Sequence, residues 1–94
     1  MRFIWDPAKA RRNQRAHGVS FETAAETFDD PHQVVGDNYF VEDAGEQRLQ
    51  MIGMTRKLVL LLVVFVEPGS GVIRLISARK AVDYEKSIYN DQFR

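Results

Sequence analysis

The sequence predicts an α+β domain, with two N-terminal helices packed on a mostly antiparallel sheet and a third helix at the C-terminus. Three observations predict it. Two capped helical segments fall between residues 6 and 31. Strand-like segments then follow one another between residues 48 and 78, two of them joined by a short loop. A mixed apolar and charged segment, Ala81 to Phe93, reads as a last helix. Helices and strands grouped in runs, rather than alternating strictly, indicate the α+β class. The 94 residues suit one domain over 1–94, with room for a single core.

The elements follow in order. "RFIW" (Arg2–Trp5) is short, apolar and aromatic, and reads as a first strand. "DPAKARRNQRAHG" reads as a helix: Asp6 is a good N-cap, Pro7 suits the first helical position, and Gly18 suits the C′ position. Its spacing puts Arg11, Arg12 and Arg15 on one face. Ser20 caps a second helix, and Glu22 favours its positive end. Phe21, Ala24, Ala25 and Phe28 form its core-facing stripe, and "DDP" (Asp29–Pro31) ends it. Short strands are expected at Val34–Val35 and Tyr39–Val41, with a turn at "DAG" (Asp43–Gly45).

"RLQMIGM" alternates, so Leu49 and Met51 face one way and Arg48 and Gln50 the other. "KLVLLLVVFV" is apolar on both faces and should be a central strand. Its nine-residue run Leu58–Val66 is far shorter than the 20 or so residues that a helix needs to span a bilayer. Pro68–Gly69 suits the centre of a type II turn leading to the last strand, "VIRLISA", antiparallel to its predecessor.

Composition bounds the function. There are no cysteines, which removes disulfides, a thiol nucleophile and thiolate metal sites. Two well-separated histidines make a weak metal case, so no metal or cofactor is expected. No signal-like apolar segment opens the sequence, and a cytoplasmic protein without membrane contact is expected. The net charge of zero hides a pattern: residues 1–16 carry +4, residues 17–46 carry −8 and residues 47–94 carry +4. A basic surface built from the two ends could hold an anion or an acidic protein segment, although solvated faces balanced for solubility give the same totals.

The junction "RLISARKAVDYEK" carries the most chemistry. Arg79 and Lys80 close the last strand, and Glu85 lies within the apolar half of the following helix with Tyr84, Ile88 and Tyr89. A carboxylate there must be paired, solvated in a cleft or shifted in pKa. If strand alternation holds, Arg79 shares a face with Ser77 and Leu75, while Arg74 points the other way. Glu85 could pair with Arg79 or Arg74 and pin the helix to the sheet. Alternatively, the cluster could cleave RNA without metal, with Glu85 as base and Tyr89 or Lys80 as acid or charge stabiliser. Arg suits the phosphoryl oxygens because its fork binds two at once. His17 sits in the last turn of the first helix, where the dipole favours a protonated ring; as a residue type it also suits proton transfer. Trp5 reads as core, His32 as exposed, and Tyr39, Phe40 and Tyr84 as either core or base-stacking.

"FIWDPAKARRNQRAHGVSFETAAETFDDP", followed by Ile52-Gly53 and then "LISARKAVDYEKSIY", resembles the BrnT toxin family of bacterial type II toxin–antitoxin systems. The resemblance runs through nearly the whole chain in the same order. It implies a RelE-like fold and a ribonuclease that arrests growth by blocking translation. It also implies a BrnA-like antitoxin with a ribbon-helix-helix part, through which alone the complex would touch DNA and repress its operon. On this reading Arg79 would stabilise the scissile phosphate and Lys80 would bind RNA or the leaving group. Glu85 would act as base or orient Arg79, and Tyr89 would assist. His17 is a further catalytic candidate. Arg48 and Arg74 could contact RNA, and the Arg11, Arg12 and Arg15 face could track its backbone or dock an acidic antitoxin segment. Where many relatives carry Arg and Lys before the Glu, this chain has Val82, Asp83 and Tyr84, which lowers its attraction for RNA. The rival reading is a partner-docking protein without catalysis, acting only through a DNA-binding antitoxin.

Overall fold

A computed structural model describes residues 1–41 and 46–94. The turn expected at Asp43–Gly45 and the aromatic side chains of Tyr39 and Phe40 lie outside the described part. Among the described residues are β1 (Arg2–Ile4), α1 (Pro7–His17), α2 (Phe21–Glu26), a 3-10 turn (Thr27–Asp29), β2 (Val34–Val41), β3 (Glu46–Met54), β4 (Leu60–Gly69), β5 (Val72–Lys80) and α3 (Asp83–Asp91). The sheet runs β1-β5-β4-β3-β2. The β2–β3, β3–β4 and β4–β5 pairs are antiparallel, whereas β1 lies parallel to β5, so the sheet is mixed.

The helix signals act as expected. The Asp6 carboxylate accepts from the Ala8 N–H, Pro7 is the first residue of α1, and Gly18 takes the left-handed conformation at φ 69°. The Ser20 hydroxyl accepts from the Thr23 N–H. Phe21 and Ala24 are fully buried, in one cluster with Met51, Leu61, Val63, Phe65, Ile73 and Leu75; Ala25 and Phe28 pack against it. Burying each of the large side chains contributes about 1.5–3 kcal/mol. Trp5 joins this core, edge-on to Phe21 at 5.9 Å. Thus α1 and α2 cover one face of the sheet. The other face carries a smaller cluster of Ile52, Leu62 and Tyr89, where α3 lands.

Polar side chains fasten the layers. Asn13 is buried; its Nδ2 donates to the Val19 and Ala78 carbonyls at 2.9 and 2.8 Å, and its Oδ1 accepts from the Ala78 N–H at 3.0 Å. This closes the edge of β5 beyond the short β1. Thr27 sits so close to β3 that a Cβ at Gly53 would lie 2.8 Å from its own Cβ. Only glycine at 53 lets the 3-10 turn approach this strand.

Several local expectations change. The β4–β5 hairpin turns at Ser70–Gly71, not at Pro68–Gly69: Gly69 pairs with Val72, and Gly71 takes the positive φ of 76°. Pro68 lies instead in an irregular stretch of β4, where a missing N–H is tolerated. The apolar run of β4 begins in a turn, because Leu58 and Val59 precede the strand. In β5, Val64 faces Ser77 and Phe65 faces Leu75, leaving Ile76 without an opposite residue. This bulge reverses the alternation. Leu75 and Ala78 both enter the α1/α2 core, so Ser77 and Arg79 stand on the face opposite Leu75, the same face as Arg74.

Candidate functional site

The face not covered by α1 and α2 holds most of the polar chemistry. At one end Arg79, opposite Leu62 in the ladder, reaches toward α3. Its Nη1 and Nη2 donate to Glu85 Oε1 and Oε2 at 2.8 and 2.9 Å. Glu85 Oε1 also accepts from the Val82 N–H at 2.9 Å, which satisfies a donor at the start of α3. Burial pushes the Glu85 carboxyl up, but the Arg79 guanidinium and the Val82 N–H outweigh it and hold the carboxyl below its usual range. The Arg79 pKa is correspondingly raised, chiefly by its hydrogen bonds to Glu85. The pair is therefore ion with counter-ion. Glu85 is buried, paired with Arg79 and held below its usual pKa range, which makes it a poor base for a substrate hydroxyl.

The buried stripe of α3 is Glu85 and Tyr89, while Tyr84 is 71% exposed and Val82 and Phe93 are also exposed. Only part of the apolar half read from the sequence packs: Glu85 and Tyr89, with Ala81 just before the helix, are buried, while Tyr84 at its margin stays outside. Tyr89 does not meet Arg79's partner. Its hydroxyl donates to Asp30 Oδ2 at 2.8 Å. Burial, then the hydrogen bond and negative charge of Asp30, push the Tyr89 hydroxyl up to about 12. Burial also opposes ionisation of Asp30. The N–H groups of His32 and Met54, at 2.8 Å each, and the Tyr89 hydroxyl still hold its carboxyl below the usual range. Asp30 thereby joins three elements, and its only sequence signal was its position after a helix.

Lys80 follows Arg79 in a strand, so it stands on the opposite face, in a cavity bordered by α1, α2 and the β3–β4 turn. Arg74 pairs with Glu46 across β4 on the open face. Arg11, Arg12 and Arg15 are all exposed on α1.

A second cationic group forms where one side of α1, from Lys9 to His17, meets the open face. Lys9, Arg12, Asn13, Ala16, His17, Arg48 and Ile76 line a cavity of about 350 Å³. Among the described residues the lining contains no carboxylate. Two causes bring it together: Asn13 ties α1 against β5, and the bulge leaves Ile76 beside the helix. Arg48 extends from β3, and its Nε is buried without a hydrogen-bond partner among the described residues. A buried guanidinium N–H without an acceptor carries a desolvation cost that an anion would relieve. His17 and Arg48, far apart in sequence, are thus brought into one pocket, and Arg12 joins them. Lys9 was not among the sequence candidates; its spacing from Arg12, one helical turn, placed it on the same face. Among the described residues no cluster of His, Asp or Glu could hold a metal ion. No described helix is long and apolar enough to cross a membrane.

Comparison with known proteins agrees with this fold. The chain is similar to the Brucella abortus ribonuclease toxin BrnT, whose crystal structure superposes with a TM-score of 0.68 at 28% identity, covering 88% of this chain and 99% of that one. No functionally curated protein matches. Residues 5–85 match the family described as the ribonuclease toxin, BrnT, of type II toxin-antitoxin systems. With most of its length inside that match, and a sheet and three helices like those of the Brucella toxin, the chain belongs to the BrnT family of ribonuclease toxins.

Proposed function

We propose that the chain is a metal-independent endoribonuclease whose cleavage centre is the pocket of His17, Arg48, Arg12 and Lys9. The observation that carries this reading is the buried Nε of Arg48, without a partner among the described residues, in a pocket whose described lining holds only cations and neutral groups. A bound phosphodiester would supply the missing acceptor. The positive charge that a divalent ion provides in other nucleases would come here from Arg48, Arg12 and Lys9. Histidine is the side chain that exchanges protons near neutral pH. His17 would take the proton from the ribose 2′-hydroxyl as its oxygen attacks phosphorus. The 5′-oxygen would leave with a proton from Lys9 or from solvent, and the product would end in a 2′,3′-cyclic phosphate.

Arg79 is a positioning residue in this scheme. Glu85 neutralises it and uses both terminal nitrogens, so it anchors α3 and only borders the RNA path. Tyr89 and Asp30 support α3 from beneath. Cleavage of cytoplasmic RNA would block translation, and a BrnA-like antitoxin with a ribbon-helix-helix part would neutralise the toxin and carry the complex to DNA.

The test is antitoxin-free protein incubated with total RNA in EDTA, beside Arg48→Met. The wild type should leave 2′,3′-cyclic phosphate ends, and the folded variant should not. A folded wild type that leaves RNA intact, with and without ribosomes, would replace this reading with that of a docking protein acting only through its partner.

A further inference from the structure

The cavity on the helix side of the sheet has a different character. It measures about 440 Å³ and lies between the end of α1, the start of α2 and the β3–β4 turn. Its floor is apolar, with Val19 and Leu61 buried and Val59 at 37% exposure. Its cations are Arg56, Lys57 and Lys80, and its one carboxylate, Glu26, accepts from the Arg56 backbone N–H.

Beside it stands Leu58, 79% exposed and at φ 64°. A left-handed backbone disfavours leucine, and asparagine or glycine suits it better. The turn is nevertheless fixed: Thr55 N–H donates to Val59 O, Leu58 N–H to Thr55 O, and Val59 N–H to the Thr55 hydroxyl. The fold thus holds a large apolar side chain outward, in a conformation it disfavours, where its own core has no use for it.

We propose, on the basis of the toxin–antitoxin membership established above, that this cavity and Leu58 dock an acidic segment of the antitoxin. One apolar anchor residue of that segment would enter over Val19, Val59 and Leu61, against Leu58. Flanking carboxylates would meet Lys57 and Lys80. Apolar floor and exposed leucine favour a peptide over a nucleic-acid backbone, which needs cations without an apolar anchor. Gly18 lines this cavity and His17 lines the cationic pocket, so the two sites flank the same end of α1. A segment docked here needs only to continue past that helix end to cover the RNA pocket.

The test uses the full chain and its cognate antitoxin, with affinity measured by calorimetry for wild type, Leu58→Asn and Lys57→Glu. Leu58→Asn relieves the backbone, so its Tm should not fall, yet its affinity should drop at least 30-fold. Lys57→Glu should weaken binding and flatten its salt dependence. Antitoxin-free RNA cleavage should be unchanged in both. Wild-type affinity in both variants would overturn the proposal, as would weakened RNA binding with antitoxin affinity intact. The binding measurement does not depend on cleavage, so failure of the nuclease reading would leave this result standing.

Discussion

Two cationic regions of this protein differ in one respect, and the difference bears on which of them is open to a ligand. At the β5–α3 junction, Arg79 is matched by Glu85, both terminal nitrogens are used and the carboxylate is held ionised. In the α1 pocket, Arg48, Arg12, Lys9 and His17 meet with no carboxylate among the described residues, and one guanidinium N–H has no acceptor among them. A cation whose counter-charge belongs to the fold stabilises the fold. A cation left without one is available to a ligand. Charge-rich sequence alone does not distinguish the two, because the partner is fixed by folding.

The largest expected effect tests this comparison directly. His17→Ala should slow RNA cleavage about 10²- to 10⁴-fold, the usual range for losing a general acid or base. Arg79→Lys should slow it by less than about tenfold, since a lysine still pairs with Glu85. Initial rates on labelled RNA in EDTA measure both. Equal losses would merge the two regions into one centre.

Asn13→Leu should destabilise the chain by about 2–4 kcal/mol in urea melts, because it leaves the Val19 carbonyl and both Ala78 backbone groups unpaired. It should also open the pocket by releasing α1 from β5.

Glu85→Gln sharpens the comparison from the other side. Arg79 loses its counter-charge, and stability should fall by about 2 kcal/mol, below the range for a fully buried pair because Arg79 is part-exposed. The released cation should add about one unit to the salt slope of RNA binding. An unchanged slope would mean that Arg79 borders no RNA path.

The pH dependence gives the smallest effects. Asp30 and Glu85 titrate below their ordinary values of 3.8 and 4.5. Their stabilisation is therefore complete above those values and lost as pH falls through the lower folded ones. Glu85→Gln should flatten the acid limb of a Tm–pH profile. Tyr89 is raised from 10.0 to about 12, so its contribution is complete below pH 10 and lost on rising through 12. Tyr89→Phe should cost about 1 kcal/mol at neutral pH and remove that alkaline loss.

What the sequence made legible was local. Asp6, Pro7, Gly18 and Ser20 mark helix ends because capping involves neighbours within a few residues. The alternation of β3 and the stripe Phe21, Ala24, Ala25 and Phe28 follow from short periods. One local expectation also moved, the hairpin turn from Pro68–Gly69 to Ser70–Gly71, but most of what the sequence left open depends on distant partners. The parallel pairing of β1 with β5 joins residues 70 apart, such as Arg2 and Val72. The bulge at Ile76 has no residue of its own to signal it, yet it turns Arg79 to the open face. Glu85 reads as misplaced on an apolar stripe until Arg79 is seen to neutralise it. Meanwhile Tyr84, apolar in projection, is left outside. His17 and Arg48 were separate weak candidates in the sequence, and their meeting depends on three strands and a helix packing correctly.

The Asn13–Ala78 contact has a consequence for synthesis. It joins positions 65 residues apart, and Ile76, from the same strand, completes the cationic pocket. A nascent chain that has already made α1, α2 and β3 still lacks the wall that β5 provides. The pocket can close only after the last strand emerges and inserts beside β4, a late and non-local step. Prematurely ended chains therefore carry His17 and Arg48 without the pocket that unites them, and the cationic group is assembled only in chains that have made β5.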